Sequence, residues 1–245
     1  MARNVIVTGG SRGIGLAIVR HLAAQGYQVI AVARRQSDDL EAAMGEAESS
    51  APGSIRFAAL DLAEVEKIPG MVKHLRSEFG PTYGLVNNAA VGFHGVLATM
   101  HNSRIESLVR VNTLSPIVLT KYVVRHMMGD RQGRIVNIAS INGFTGYNGL
   151  SVYAATKASL IGFTRSLARE VGQLDITVNA VAPGFVDTEM THSLEAEQRD
   201  QIARRSALRR LVAPRDVAYA VEYLMSDRAR NITGTVLTID AGSTA

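Results

Sequence analysis

The sequence predicts an α/β fold, a single doubly wound parallel sheet of seven strands with helices on both faces. Three observations predict it. Apolar, β-branched runs alternate with amphipathic stretches along the whole chain, as in strands buried on both faces and joined by crossover helices. The first such run ends in a glycine-rich turn, Gly9-Gly10-Ser11-Arg12-Gly13-Ile14-Gly15, that opens a helical pattern. Of the 245 residues 47% are hydrophobic, enough to fill the core of one large domain spanning 1–245.

The elements follow in order. Val5-Ile6-Val7 centres a first strand near 4–8, and Ile14, Ala17, Ile18 and Leu22 mark one face of a helix over 13–25. A second strand lies at 28–33. Ala51-Pro52-Gly53-Ser54 is a turn, too short for a linker, before a third strand at 55–60. A helix at 63–79, a strand at 84–87 and a helix at 103–128 come next. Strands at 133–139, 176–181 and 235–240 alternate with helices at 151–171 and 214–226. Residues 185–212 break this rhythm: they are polar, arginine-rich and follow Pro183-Gly184. Ligands of such sheets bind beyond the carboxyl ends of the strands, so this excursion is expected to act as a substrate lid.

Bulk properties exclude several function classes. The isoelectric point is about 9.6. The net charge is only +4, however, and 22 arginines against 4 lysines suggest a bias toward arginine more than a polybasic tract. Arg204-Arg205 and Arg209-Arg210 read as a solvated helix face, and no nucleic-acid binding is expected. No cysteine is present, which fits a reducing, cytoplasmic setting. The first strand begins too early for a signal peptide, and no apolar run approaches a membrane span. The histidines at 21, 74, 94, 101, 126 and 192 show no ligand spacing, so no metal is expected.

The chemistry centres on Tyr153 and Lys157. In a helix over 151–171 they are i and i+4, stacked on one face. A free tyrosine has a pKa of about 10. An ammonium one turn away favours the phenolate and moves that pKa toward the working range of a general acid. Ser140 closes an apolar run thirteen residues before Tyr153, where its hydroxyl can hold a carbonyl oxygen. It does not lie in the G-x-S-x-G elbow of hydrolases and has no histidine placed as its base, so it is not read as a nucleophile. The glycine turn supplies the other half of the site. Its tight path excludes Cβ atoms, and the unpaired N–H groups of the next helix suit a pyrophosphate. After the second strand an acidic residue would hold the ribose hydroxyl of NAD. No acid stands here; Arg34 and Arg35 take the place. Arg34 favours the 2′-phosphate of NADP, whereas Arg35 reads equally as a surface arginine at the strand end. Pro116 lacks an N–H, so the Asn112 carbonyl four residues earlier loses its helical partner and is free to take a water.

The chain resembles the short-chain dehydrogenase/reductase family, with its Rossmann-like fold, over its whole length. The pieces that carry the resemblance are Thr8 to Gly15, Asp61-Leu62, Asn87-Asn88-Ala89, Asn112, Ser140, Tyr153, Lys157, Pro183-Gly184 and Thr188. The β-ketoacyl-[acyl-carrier-protein] reductase branch is nearest in look, through Gly133 to Ile138, Val178 to Gly184 and Ile232 to Asp240. Ala90 departs from the family glycine by one methyl group. The resemblance implies that Asn112, Ser140, Tyr153 and Lys157 are catalytic, with the Asn112 carbonyl holding a water of a proton relay. It implies that Gly9, Ser11, Arg12, Gly13, Ile14, Gly15, Arg34, Asp61, Leu62, Asn88, Ala89, Tyr153, Lys157, Pro183, Gly184, Val186 and Thr188 hold NADP(H). For Asp61 the residues alone also allow a helix-capping role.

These readings lead to an NADPH-dependent carbonyl reductase of the cytoplasm, most simply one for 3-oxoacyl thioesters on an acyl carrier protein. A reductase of small or cyclic ketones is the alternative. A silent NADPH sensor or scaffold is the alternative of another class, against which the complete Ser–Tyr–Lys set argues. Pocket candidates are Val91, Phe93, Ile141, Tyr147, Leu150, Phe185 and Met190. The resemblance implies carrier-protein docking by arginines near the mouth. Arg131 matches one of them, whereas Leu174 stands at the second position. Ala155, Ser159, Gly162 and Ser166 form a small-residue stripe behind the catalytic face that lets another helix approach closely; the resemblance implies that this helix pairs in a homotetramer, and packing within the chain is the alternative.

Overall fold

Alternation along the strands creates two cores, one on each face of the sheet. In β1 (Asn4–Thr8) Val5 and Val7 point to one face and Ile6 to the other, and all three are fully buried. The computed structural model describes residues 3–187 and 196–245. After β1 come α1 (Gly13–Ala24), β2 (Gln28–Ala33), α2 (Asp38–Ser50), β3 (Ser54–Ala59), α3 (Ile68–Phe79) and β4 (Thr82–Asn87). The chain continues with α4 (Asn102–Val109), α5 (Ser115–Asp130), β5 (Gly133–Ile138), α6 (Ser151–Val171) and β6 (Ile176–Pro183). It ends with α7 (Ala196–Arg205), α8 (Pro214–Met225) and β7 (Val236–Ile239).

The strands form one parallel sheet in the order β3-β2-β1-β4-β5-β6-β7. Helices α1, α2 and α8 cover one face through residues such as Ile18, Leu22, Leu40, Val217 and Leu224. Helices α3, α5 and α6 cover the other through Ile68, Leu75, Leu119, Met127 and Leu167. The winding reverses between β1 and β4, so a crevice opens at their carboxyl ends, where Thr8 and Asn87 end their strands.

Two expected helices are interrupted, each near a proline. The run expected over 103–128 is α4, then a π-helical segment at Arg110–Leu114, then α5. Pro116 sits in the first turn of α5 and cannot donate, so the backbone widens and the Ser115 N–H bonds the Arg110 carbonyl. The run expected over 63–79 begins as a 3-10 turn at Val65–Lys67 and becomes α-helical only at Ile68, with Pro69 in the first turn. Helix α2 has a sequence logic of its own. Ser37 caps it by accepting from the Leu40 N–H at 3.2 Å, and Asp38, Asp39 and Glu41 complement its dipole. Among the described residues no helix is long and apolar enough to cross a membrane.

Candidate active site

The glycine turn is shaped by contacts that leave no room for side chains. A Cβ on Gly15 would lie 2.0 Å from the Gly9 carbonyl oxygen, and Gly9 has φ +66°, a left-handed conformation that favours glycine. The first turn of α1 therefore approaches the end of β1 closely, with its unpaired N–H groups at the mouth of the crevice. Such a cradle fits the pyrophosphate of a dinucleotide. Arg12 precedes α1 as its N-cap residue, and Arg34 directly follows β2, the parallel neighbour of β1. Both arginines are exposed on the same edge of the crevice. Ser37 ties this edge together by donating its hydroxyl to the Ser11 carbonyl.

Thr8, which the sequence reading placed at the start of the glycine motif but gave no role, anchors the opposite wall. Its hydroxyl oxygen accepts from the N–H groups of Asn88 at 2.9 Å and Ala89 at 3.0 Å. Asn88 returns its side-chain amide to the carbonyls of Thr8 at 2.8 Å and Gly9 at 3.3 Å. The Asn88 N–H₂ is thus committed to the turn, and its Oδ1 remains the side-chain group for a ligand. A polar residue at the end of an otherwise apolar strand was the signal for Thr8. Asp61 accepts from the Ala63 N–H at 2.9 Å, which closes a local turn; the cap positions of the helical segments that follow are Glu64 and Lys67, so Asp61 does not cap a helix. The Leu62 side chain is in the core on the α3/α5/α6 face and that of Ile14 packs against the core on the other face, so a ligand would meet their backbones.

Ser140, Tyr153 and Lys157 converge where β5 ends and α6 begins. Ser140 is buried, and its oxygen accepts from the Asn142 N–H at 3.2 Å. Lys157 is 2% exposed and donates to the Ile138 carbonyl at 2.8 Å, with its ammonium 5.7 Å from the Tyr153 ring centre. Burial pushes the Lys157 pKa down from 10.5 to about 8. Burial pushes the Tyr153 phenol up, and its hydrogen bond with Ser140 opposes this in part. The sequence reading expected Lys157 to draw the phenol down. In the bare protein desolvation dominates, and the phenol keeps its proton.

The lysine carries a testable stability signature. Its folded pKa lies below its unfolded one, so between them the unfolded chain binds a proton that the folded chain has released. Stability therefore rises from about pH 8 to 10.5, and below pH 8 the buried ammonium costs on the order of 3 kcal/mol. Lys157→Met removes this term. Relative to wild type, the variant should lose about 2–3 kcal/mol between pH 7 and pH 10, read from denaturant midpoints without cofactor. A stability gap that stays constant with pH would contradict the buried ammonium.

Asn112 is 1% exposed and lies in the π-helical segment. Its amide pairs with a backbone peptide: Oδ1 accepts from the Val91 N–H and Nδ2 donates to the Val91 carbonyl, each at 2.9 Å. Nδ2 also reaches Thr156 Oγ1 at 3.3 Å, and that hydroxyl donates to the Tyr153 carbonyl at 2.7 Å. Thr156 is a second residue that sequence reasoning missed, since a threonine inside a helix gives no signal before the fold is known.

Pro183 ends β6, and a Cβ on Gly184 would lie 2.8 Å from Asp240 Cβ, so this corner is packed tight. Val186 bridges Val212, and the Val212 N–H donates to the Phe185 carbonyl at 3.1 Å. The base of the 185–212 excursion is closed by these contacts; Thr188 and Met190 fall outside the described residues. Tyr147 and Phe185 face each other with ring centres 5.6 Å apart. Two further expectations change, and a reading left open is narrowed. Arg131 precedes β5 and Leu174 precedes β6, at the amino ends of the strands and opposite the site, so within one chain neither borders the mouth. Arg204 and Arg205 end α7 whereas Arg209 adopts φ 49° in the loop beyond, so the four arginines do not share one helix face. On the stripe Ala155, Gly162 and Ser166 are exposed and a Cβ on Gly162 would meet nothing within 4 Å, whereas Ser159 is partly buried with its hydroxyl 3.0 Å from that of Thr113, so only part of this face is packed within the chain.

Comparison with known proteins agrees with this geometry. The family model for short chain dehydrogenases matches residues 3–199. The 3-oxoacyl-[acyl-carrier-protein] reductase FabG of Escherichia coli is 40% identical over 237 residues, covering 97% of this chain and 95% of that protein. FabG of Staphylococcus epidermidis is 35% identical, covering 99% of both chains. A double mutant of a Serratia marcescens short-chain dehydrogenase/reductase superposes with a TM-score of 0.92 at 34% identity, covering 99% of this chain and 98% of that one. The chain belongs to the short-chain dehydrogenase/reductase family, oxidoreductases that act on CH–OH and C=O groups with a nicotinamide cofactor.

Proposed function

We propose that this protein is an NADPH-dependent 3-oxoacyl thioester reductase of the cytoplasm, in the manner of fatty acid biosynthesis, acting on acyl groups carried by an acyl carrier protein. The single observation that carries the reading is the Ser140–Tyr153–Lys157 set at the end of a dinucleotide cradle, with Ser140 and Lys157 buried and Tyr153 half-buried between them, supported by the similarity to the FabG proteins. A nicotinamide bound in the crevice would supply the hydride for the carbonyl carbon. Ser140 holds the carbonyl oxygen, and Tyr153 gives that oxygen its phenolic proton. Lys157 stabilises the phenolate left behind and binds the nicotinamide ribose. The Asn112 carbonyl holds the water that returns a proton toward this pair.

Gly9, Ser11, Arg12, Gly13, Ile14 and Gly15 cradle the pyrophosphate, and Arg12 with Arg34 clamps the 2′-phosphate. Asp61 and Leu62 border the adenine, Asn88 and Ala89 the nicotinamide ribose, and Pro183, Gly184, Val186 and Thr188 the nicotinamide. We read 1–245 as one catalytic domain with 185–212 as its substrate lid. The exposed part of the small-residue stripe of α6, flanked by the exposed Val109 and Leu114, suits a second copy of the chain, and a homotetramer is the assembly we propose.

The test compares acetoacetyl thioester on acyl carrier protein with the same group on a short thiol carrier, across salt concentration. A carrier-protein advantage that fades with salt supports this substrate class, because charges that dock an acidic partner act chiefly on encounter. Turnover of simple cyclic ketones with no activity on either thioester would reject the substrate class and leave the reductase reading intact. The second class has its own supporting observation, the aromatic mouth formed by Tyr147 and Phe185.

A further inference from the structure

The π-helical segment Arg110–Leu114, with Ser115 after it, touches loops at both ends of the crevice. Ser115 is fully buried. Its hydroxyl lies within hydrogen-bond reach of two carbonyls, those of Leu62 and Arg110. A hydroxyl has one proton to give. The Arg110 carbonyl already takes the Ser115 N–H, so the hydroxyl proton goes to Leu62. Arg110 adds a second tie to the same loop, its Nη1 donating to the Ala63 carbonyl at 3.4 Å.

Two residues before Leu114 the same segment grips the other end. Asn112 pairs with both backbone groups of Val91, in the loop after β4, and reaches Thr156 on the catalytic helix. One short piece of widened helix thus spans the loop after β3, the loop after β4 and the helix that carries Tyr153. The widening is what permits this, since Pro116 would leave an unbroken α-helix with a missing bond at this point.

We propose that Ser115 is a positioning residue of the cofactor site: through the π-helical segment it couples the loop Asp61–Ala63 to Val91, so that filling the adenine end stiffens the catalytic end. This rests on the reading that Asp61 and Leu62 border the adenine. The coupling is of the kind in which a first ligand orders what later events require. Ser115 touches no reacting atom. It acts by fixing the Leu62 carbonyl, and hence the turn in which Asp61 bonds Ala63.

Hydrogen exchange with adenosine 2′,5′-bisphosphate tests the proposal, because that probe carries the adenine half and no nicotinamide. In the wild type it should slow exchange about threefold or more at Ala63 and also at the Val91 N–H. In Ser115→Ala the protection at Ala63 should persist while that at Val91 is lost. The dissociation constant of the probe should rise about five- to tenfold, the effect of one lost buried hydrogen bond. Arg110→Ala, a change at an exposed side chain, should weaken the Val91 response in the same direction. A wild-type Val91 that ignores bound bisphosphate overturns the proposal, as does full Val91 protection in Ser115→Ala; the wild-type arm holds even if that variant folds poorly. NADPH is the control. If neither ligand binds, the cofactor reading falls and takes the coupling with it; if both bind and Val91 is unmoved, the coupling alone falls.

Discussion

Tyr153→Phe is expected to lower kcat by about 10²–10⁴-fold, the range for a positioned general acid, while NADPH still binds with nearly wild-type affinity. The ring stays in place, and only the hydroxyl that bonds Ser140 is removed. Burial holds the phenol above its ordinary pKa, so as the proposed acid Tyr153 would enter the reduction protonated through the neutral range. Oxidation of an alcohol needs the phenolate, so that direction should speed up as pH rises. Lys157→Ala should weaken both turnover and cofactor binding, since the proposed roles of that side chain include both. A Tyr153→Phe enzyme that kept more than a tenth of wild-type kcat would require another acid.

Cofactor choice is the second large effect. The wild type should prefer NADPH over NADH at least tenfold in kcat/KM, since a charge-assisted hydrogen bond to a phosphate is worth about 1.5–3 kcal/mol. Arg34→Asp combined with Arg12→Ala should erase or invert that preference. The acidic residue then stands where it can hold a ribose hydroxyl and repel a phosphate. Steady-state kinetics with both cofactors is the check, and equal efficiency in the wild type would end the argument for an arginine clamp.

Much of the fold was legible because the strands are buried on both faces. Runs such as Val5-Ile6-Val7 and Ile135-Val136 announce a parallel sheet, and their spacing leaves room for a helix between each pair. The ends and breaks were less legible. The helix through Asn112 reads as continuous because its apolar period persists, and only the hydrogen-bond pattern reveals the π turn beside Pro116. Residues meeting a ligand were easier to propose than those that hold them. Tyr153 and Lys157 share one helix face, which spacing alone discloses. Thr8 and Thr156 act through partners that are distant in sequence, Asn88 and Asn112, and no local pattern pairs them. The electrostatics also depended on the fold. A lysine one turn away predicts a lowered phenol, yet the depth of both groups reverses the direction in the bare protein.

The central claim is that this crevice passes hydride from NADPH to a ketone carbon while Tyr153 protonates the oxygen. The most direct measurement follows absorbance at 340 nm with an acetoacetyl thioester and NADPH deuterated at C4 of the nicotinamide, then locates the label in the product. The account predicts one NADPH consumed per alcohol formed, with deuterium on the new carbinol carbon from one of the two C4 faces. It also predicts that Tyr153→Phe stops both signals together. Bound NADPH with no oxidation across thioesters and simple ketones, or an alcohol formed without label from either face, would contradict it.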